Sequence, residues 1–150
     1  MTSVSTIRFR LQQQELGHTL LWTVTPIIDG VSLIELARRQ ELEAARAGGE
    51  EHLAGSYAGL TLGRSGGAAW QKWFLGGGES WFGDGDTCLL GCTCSDVGCW
   101  PLTALVEIGE TTVRWHRFRT GHRDWDLSRL GPFEFARDQY ENALAEPDPG

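Results

Sequence analysis

The sequence is poor in lysine and methionine and has no long apolar run. Lys72 is the single lysine, and 20 acidic residues against 13 basic ones give a net charge of −7. Because an acidic chain repels phosphate backbones and anionic headgroups, we expect no binding to nucleic acid or to membranes. No apolar stretch approaches the roughly 20 residues that a membrane-spanning helix needs.

The first residues also lack the pattern of a secretory signal, because Arg8 and Arg10 interrupt the apolar positions. We therefore expect a cytoplasmic protein, whose thiols stay reduced. In that compartment the four cysteines indicate metal binding, thiol chemistry or packing before they indicate disulfides. The absence of a CxxC pair disfavours a thiol–disulfide oxidoreductase.

The composition is that of one folded domain. The chain has 150 residues, of which 41% are hydrophobic and 22% charged, values typical of globular domains. We predict a single α+β domain over residues 1–145 and a flexible tail over residues 146–150. The seven tryptophans supply large rings that fill cores and also line contact surfaces.

Alternating apolar residues and β-branched residues predict several strands besides a hairpin in the second half. These strands cover residues 5–11, 19–28, 70–75 and 87–90. We interpret residues 50–69 as a long loop, since they are rich in glycine. A second loop is predicted over residues 119–132.

Two helices are predicted. Ser32 and Glu35 have the spacing of a capping box, which predicts a helix over residues 33–47 that ends at Gly48. The second helix is predicted over residues 136–145. The charged residues of the first helix are interpreted as a solvated, salt-bridged face; they include Glu35, Arg38, Arg39, Glu41, Glu43 and Arg46.

The clearest hairpin joins residues 102–108 to residues 111–118. Residues 109–110 form a two-residue connection with glycine first, which suits a type II′ turn. In that register Val106 faces Val113, and the apolar residues of both strands share one face. The predicted fold is therefore an antiparallel sheet of five or six strands with one long helix after strand two and a C-terminal helix.

One segment is chemically distinctive because it contains Cys92, Cys94 and Cys99. Three thiolates on a glycine-containing loop can converge on one metal ion, and zinc accepts three cysteines with one histidine. Extending the hairpin register beyond the strands sets His122 opposite Val97, beside this segment. The sequence thus predicts a structural zinc site at Cys92, Cys94, Cys99 and His122.

The same residues allow other interpretations. Cysteine packs as a small hydrophobe, so plain packing or loop shaping explains the segment without a metal. A reactive thiol is a further alternative, with His122 and Asp126 as an acid–base pair. Cys88 is the rival fourth ligand. We assign no catalytic residue and no cofactor other than the structural zinc.

A longer pattern runs from the cysteine segment to the C-terminal region. Its positions are Leu90, Gly91, Cys92, Cys94, Gly98, Cys99, Trp100, Pro101, Leu102, Trp115, Phe118, His122, Arg123, Trp125, Asp126, Leu130, Gly131, Pro132, Phe133, Phe135 and Tyr140. This pattern resembles a family of uncharacterised bacterial proteins with no known activity. Ser95 stands where that family has glycine, and Cys88 falls outside the pattern. The resemblance therefore implies no function.

Two functions follow from these observations as expectations. The first is a non-catalytic binding or accessory protein, whose Cys-rich loop and Trp-rich segment form a contact surface around zinc. Its partner would be a protein or a small molecule. The alternative is a small metal- or thiol-dependent enzyme that uses the cysteine loop with His122. A structural zinc is fully coordinated by protein, whereas a catalytic zinc keeps one open position.

Overall fold

The computed structural model describes residues 4–16, 18–63, 70–77, 80, 82–92, 101–121 and 125–149. The strands within this part of the chain are β1 (Ile7–Leu16), β2 (Thr19–Ile28), β3 (Val31–Ser32), β4 (Tyr57–Gly63), β5 (Asp86–Cys92), β6 (Leu102–Ile108), β7 (Thr112–Thr120), β8 (Phe133–Ala136) and β9 (Asp148–Pro149). The helices are α1 (Leu33–Ala47), α2 (Trp70–Lys72) and α3 (Arg137–Ala145). Two further helical turns cover Glu51–Leu53 and Trp73–Gly77.

The strands form one sheet that nearly closes into a barrel. Its order is β8-β7-β6-β5-β4-β2-β1-β9, with β3 paired to β2. The chain just before β1 returns to β8, where Ser5 bridges Phe135 and the Ser5 amide donates to the Glu134 carbonyl at 2.7 Å. All neighbouring pairs along the path are antiparallel except β1 with β9.

The predicted α+β fold with five or six strands is therefore wrong. Strand β4 lies inside the segment interpreted as a loop, and β9 lies inside the predicted flexible tail. The YAGLTLG sequence of β4 contains two glycines, which weaken the local preference for a strand. Residues 70–75, predicted as a strand, instead form α2 and the following turn.

Helix α1 covers the predicted residues. The hydroxyl of Ser32 accepts a hydrogen bond from the Ile34 amide at 3.1 Å, and the Gly48 amide donates to the Ala44 carbonyl at 3.2 Å. The helix is one of three in the described residues and does not dominate the fold, which is mostly sheet. None of the described helices is long and apolar enough to cross a bilayer.

The β6–β7 hairpin forms, but its predicted register is wrong by two residues near the turn. Val106 pairs with Trp115 and not with Val113. The Gly109 amide donates to the Thr112 carbonyl at 2.8 Å, so the turn itself falls one residue later than predicted. A shift of two residues keeps every side chain on its original face, because side chains alternate with a period of two.

A β-bulge moves the register again at the far end of the hairpin. Arg117 has a φ of 56°, and beyond it Leu102 pairs with Thr120. The predicted register would have set Leu102 opposite Arg117. The predicted placement of His122 opposite Val97 is therefore unsupported, because it extended a pairing that the strands do not have.

Aromatic side chains fill the barrel interior. The rings of Phe9, Phe74, Trp115, Phe135 and Tyr140 are all fully buried. Ring centroids lie 4.8 Å apart for Phe9 and Phe74 and 5.4 Å apart for Trp115 and Phe135. The Tyr140 hydroxyl donates to the Phe74 carbonyl at 2.5 Å and accepts from Trp115 Nε1 at 3.3 Å. The contacting rings occupy the interior, so a binding site has to lie on the outside of the barrel.

Candidate functional site

The ends of three neighbouring strands meet at the place where the cysteine segment joins the sheet. Leu102 of β6 pairs with Leu90 of β5 on one side and with Thr120 of β7 on the other. The Gly121 amide donates to the Pro101 carbonyl at 2.9 Å. Because neighbouring strands lie about 4.8 Å apart, the two ends of the cysteine segment and the residue before His122 share one rim of the barrel.

The predicted metal ligands fall mostly outside the described residues. This applies to Cys94, Cys99 and His122. The backbone of Cys92 is described as the last residue of β5, where it pairs with Tyr57. Within the described part of the chain, no group of three or more His, Cys, Asp or Glu side chains is placed to hold a metal ion. The four-ligand zinc site therefore stays a prediction.

Cys88, the rival ligand, lies within β5 and is 2% exposed. It pairs with Thr103 of β6. Its carbonyl accepts a hydrogen bond from Trp73 Nε1 at 2.7 Å, which ties the turn after α2 to β5. Burial of this kind suits a packing role for Cys88.

The outer face of β5, β6 and β7 carries a mostly polar cluster that we call the outer patch. Its members are paired across the three strands in two rows, Asp86–Leu105–His116 and Cys88–Thr103–Arg119. The face opposite to this patch includes Leu102 and Ala104 of the core. Asp86 is 2% exposed and Thr103 is fully buried, so part of the patch is covered although it lies on the outside of the barrel.

Residues before β5 provide part of this cover. Both carboxylate oxygens of Asp86 accept from the Phe82 amide at 3.2 Å, and Asp86 also accepts from the Ser80 hydroxyl. Arg119 Nη2 donates to both oxygens of Asp84 at 2.9 and 3.0 Å. The guanidinium carbon of Arg119 lies 3.9 Å from the ring centroid of Phe82, which is within range of a cation–π interaction.

Three buried polar atoms of the outer patch lack a hydrogen-bond partner among the described residues. They are Thr103 Oγ1, Arg119 Nε and His116 Nε2. His116 Nε2 lies 3.1 Å from Glu107 Oε1, but this contact does not have hydrogen-bond geometry. Since a buried unsatisfied polar atom costs about 1–3 kcal/mol, such a group of atoms marks a place where a further polar molecule could be bound.

A second buried polar group lies beneath α1, where the sequence predicted a solvated face. Glu41 is fully buried, accepts from the Gly55 amide at 2.8 Å and accepts from the Tyr57 hydroxyl. Its burial raises its pKa above the ordinary value of 4.5. The four-residue spacing of Leu33, Ala37 and Ala45 contains this position and could have revealed it.

Asp126, the predicted acid–base partner of His122, is exposed. Its carboxylate accepts from the Ser128 amide at 2.9 Å. Hydrogen bonds from Ser128 lower the pKa of Asp126. The described contacts of Asp126 are therefore those of a residue that shapes its own loop.

Comparison with known proteins assigns the chain to no family. No protein-family model matches the chain, no curated protein is significantly similar to it, and no solved structure is significantly similar to it. The resemblance to uncharacterised bacterial proteins stays a prediction.

Proposed function

We propose that the chain is a cytoplasmic, non-catalytic binding or accessory domain whose cysteine segment holds a structural zinc ion. Cys92, Cys94, Cys99 and His122 would supply the four ligands. The zinc would fix the segment as part of a contact surface for a protein or a small molecule. The observation that supports this most is the hydrogen bond between Gly121 and Pro101.

This hydrogen bond matters because it joins the two parts of the chain that carry the ligands. Pro101 is two residues after Cys99, and Gly121 directly precedes His122. A zinc–ligand bond is about 2.0–2.3 Å long, so all four ligand atoms have to lie around one point. Anchoring both parts at one rim reduces the chain entropy that metal binding has to overcome.

The filled interior supports a binding role at the surface. A small barrel that holds a ligand inside needs space there that side chains leave open. Here the inner positions are occupied by contacting rings, including Phe9, Phe74 and Trp115. A partner would therefore be bound on the outside of the barrel, where the cysteine segment joins the sheet.

The unsatisfied atoms of the outer patch favour the alternative, a small metal- or thiol-dependent enzyme that uses the cysteine segment with His122. Active sites retain polar groups that only a substrate satisfies. Thr103 and Arg119 follow and precede the rim residues Pro101 and Gly121 by two positions. In this alternative the metal keeps an open position or one thiol is reactive.

The test is the metal content of the native protein, measured by inductively coupled plasma mass spectrometry after dialysis against metal-free buffer. We expect one zinc ion per chain, and its loss in Cys94→Ser and in Cys99→Ser. Cys88→Ala is the matched control and retains the zinc, because Cys88 is assigned to packing. Native protein without zinc, or equal zinc loss in all three variants, would overturn the assignment.

Cobalt substitution distinguishes the two functions. A structural site with four protein ligands gives a tetrahedral cobalt spectrum that does not change when azide is added. A catalytic site with an open position binds azide, and its spectrum shifts. We expect no shift. A shift would replace the accessory domain with the enzyme.

A further inference from the structure

Thr103 and Arg119 lie opposite each other on β6 and β7 and bring two unsatisfied donors to one place. Thr103 is fully buried, and its Oγ1 has no hydrogen-bond partner among the described residues. The same holds for Arg119 Nε. A hydroxyl and a guanidinium N–H can both donate to one acceptor placed between them.

Asp84 already brings a carboxylate to this arginine. Both of its oxygens are bonded to Arg119 Nη2, at 2.9 and 3.0 Å, which leaves the neighbouring Nε unsatisfied. A side-on carboxylate would use Nε and Nη2 together, the arrangement that the planar guanidinium favours. The contact with Asp84 therefore satisfies only part of the available donors.

The geometry of the segment that carries Asp84 allows it to move away from Arg119. Gly83 and Gly85 flank it at φ values of 77° and 91°, and an added Cβ at either position would meet nothing within 4 Å. The Asp84 side chain is 44% exposed, whereas that of Arg119 is 30% exposed. Movement of this short segment would uncover Arg119 without disturbing a packed side chain of the core.

We propose that the outer patch is a carboxylate-binding site, in which Arg119 and Thr103 hold the ligand and Asp84 competes with it from within the chain. The ligand carboxylate accepts from Arg119 Nε and Nη2 and from the Thr103 hydroxyl. The Phe82 ring, 3.9 Å from the guanidinium carbon, stacks on the arginine and holds its plane. This site goes beyond the proposed zinc centre and requires no metal.

Asp84 favours a carboxylate over a phosphate as the ligand. It shows that a planar singly charged group fits against Arg119. Asp86 pairs with Leu105, two residues along β6 from Thr103, and would repel a group of higher charge more strongly. The carboxylate could belong to a free small molecule or to an acidic side chain of a protein partner. Free acetate and a peptide that contains Asp distinguish these two sources.

The experiment uses Asp84→Asn, which removes the competing charge and keeps the size of the side chain. Its melting temperature is measured in sodium acetate and in sodium chloride of equal ionic strength. We expect acetate at about five times its Kd to raise the melting temperature by about 2–4 °C. The wild type gives a smaller rise, because Asp84 occupies Arg119 Nη2.

Two double variants locate the effect. Asp84→Asn combined with Arg119→Lys loses the acetate-dependent rise, because lysine cannot bind a carboxylate side-on. Asp84→Asn combined with Arg114→Lys keeps the rise, since Arg114 is an exposed residue of the same strand. An equal rise in both double variants, or none in Asp84→Asn, would mean that water alone fills the site and would overturn the proposal.

Titration of wild-type protein followed by NMR keeps the proposal testable if Asp84→Asn does not fold. The Arg119 Nε–H signal, assigned from Arg119→Lys, should move and saturate with acetate. Tighter binding of inorganic phosphate than of acetate would contradict the ligand class. A blocked peptide with one central Asp is compared with its Asn counterpart and with acetate. Binding of the Asp peptide that is selective over the Asn peptide and tighter than that of acetate supports a protein partner. Equal affinity of the protein for the Asp peptide and for acetate supports a small molecule.

Discussion

The side chain of Gln139 is hydrogen-bonded to both main-chain groups of Ile7. Its Oε1 accepts from the Ile7 amide at 2.9 Å, and its Nε2 donates to the Ile7 carbonyl at 2.6 Å. A side-chain amide of α3 thus takes the place of a neighbouring strand at the edge of β1. It lies between the Ser5 bridge to β8 and the pairing of Arg10 with β9, so it helps to close the barrel.

Gln139→Ala should therefore destabilise the protein. The change removes both partners of Ile7, and a buried main-chain group without a partner costs about 1–3 kcal/mol. Urea unfolding measures the free-energy loss, and hydrogen exchange of the Ile7 amide should speed up. Asn142→Ala, an exposed position on the same helix, should stay within about 0.5 kcal/mol of the wild type. Equal losses in the two variants would rule out this role of Gln139.

Gly59→Ala should destabilise the sheet because there is no space for a methyl group. An added Cβ would lie 2.5 Å from Thr25 Oγ1 and 2.9 Å from the Val24 carbonyl oxygen. Overpacking of this kind typically costs about 1–3 kcal/mol. Gly48→Ala is the control, since its Cβ would be 3.7 Å from the nearest atom. A melting temperature that falls no further for Gly59→Ala than for the control would show that β2 and β4 are not so close.

The way in which the free energy of unfolding changes with pH should reveal the titration of the buried Glu41. Burial raises its pKa in the folded state above the ordinary value of 4.5, so the folded protein holds a proton that the unfolded chain has released. The free energy of unfolding therefore falls as the pH rises from 4.5 through the pKa of the folded state. Above that pKa the stabilisation that comes from the proton on Glu41 is fully lost.

Glu41→Gln should remove this decline, because glutamine does not titrate and its carbonyl still accepts from the Gly55 amide. Urea unfolding between about pH 4.5 and pH 8 measures the slope in both proteins. Glu43→Gln, an exposed residue of the same helix, should keep the wild-type slope. If Glu41→Gln and the wild type have the same slope, Glu41 is not the titrating group.

The sequence predicts local structure where the signal is contained within a few residues. Ser32 and Gly48 mark both ends of α1 because capping is a local interaction. The alternating residues of β1 and β2 predict strands for the same reason. The predicted register of β6 and β7 is wrong, because the turn falls one residue later than expected and the bulge at Arg117 shifts the pairing again.

The rest of the fold and the outer patch depend on contacts between residues that are distant in sequence. Gly59 weakens the strand signal of β4, yet glycine is required there by the approach of Thr25. Glu41 has an ionisable side chain, yet Tyr57 and Gly55 satisfy it inside the protein. The outer patch joins residues from three strands through their register, so no local pattern marks it. The zinc ligands, by contrast, come from the sequence pattern alone.

The most direct test of the zinc centre is whether metal release and unfolding occur together. The native protein is heated with a colorimetric zinc indicator while circular dichroism records unfolding. A structural zinc held by Cys92, Cys94, Cys99 and His122 predicts one equivalent released at the same midpoint as the loss of the sheet signal. Release of the zinc well below that midpoint with the sheet intact, or no release at all, would contradict the account.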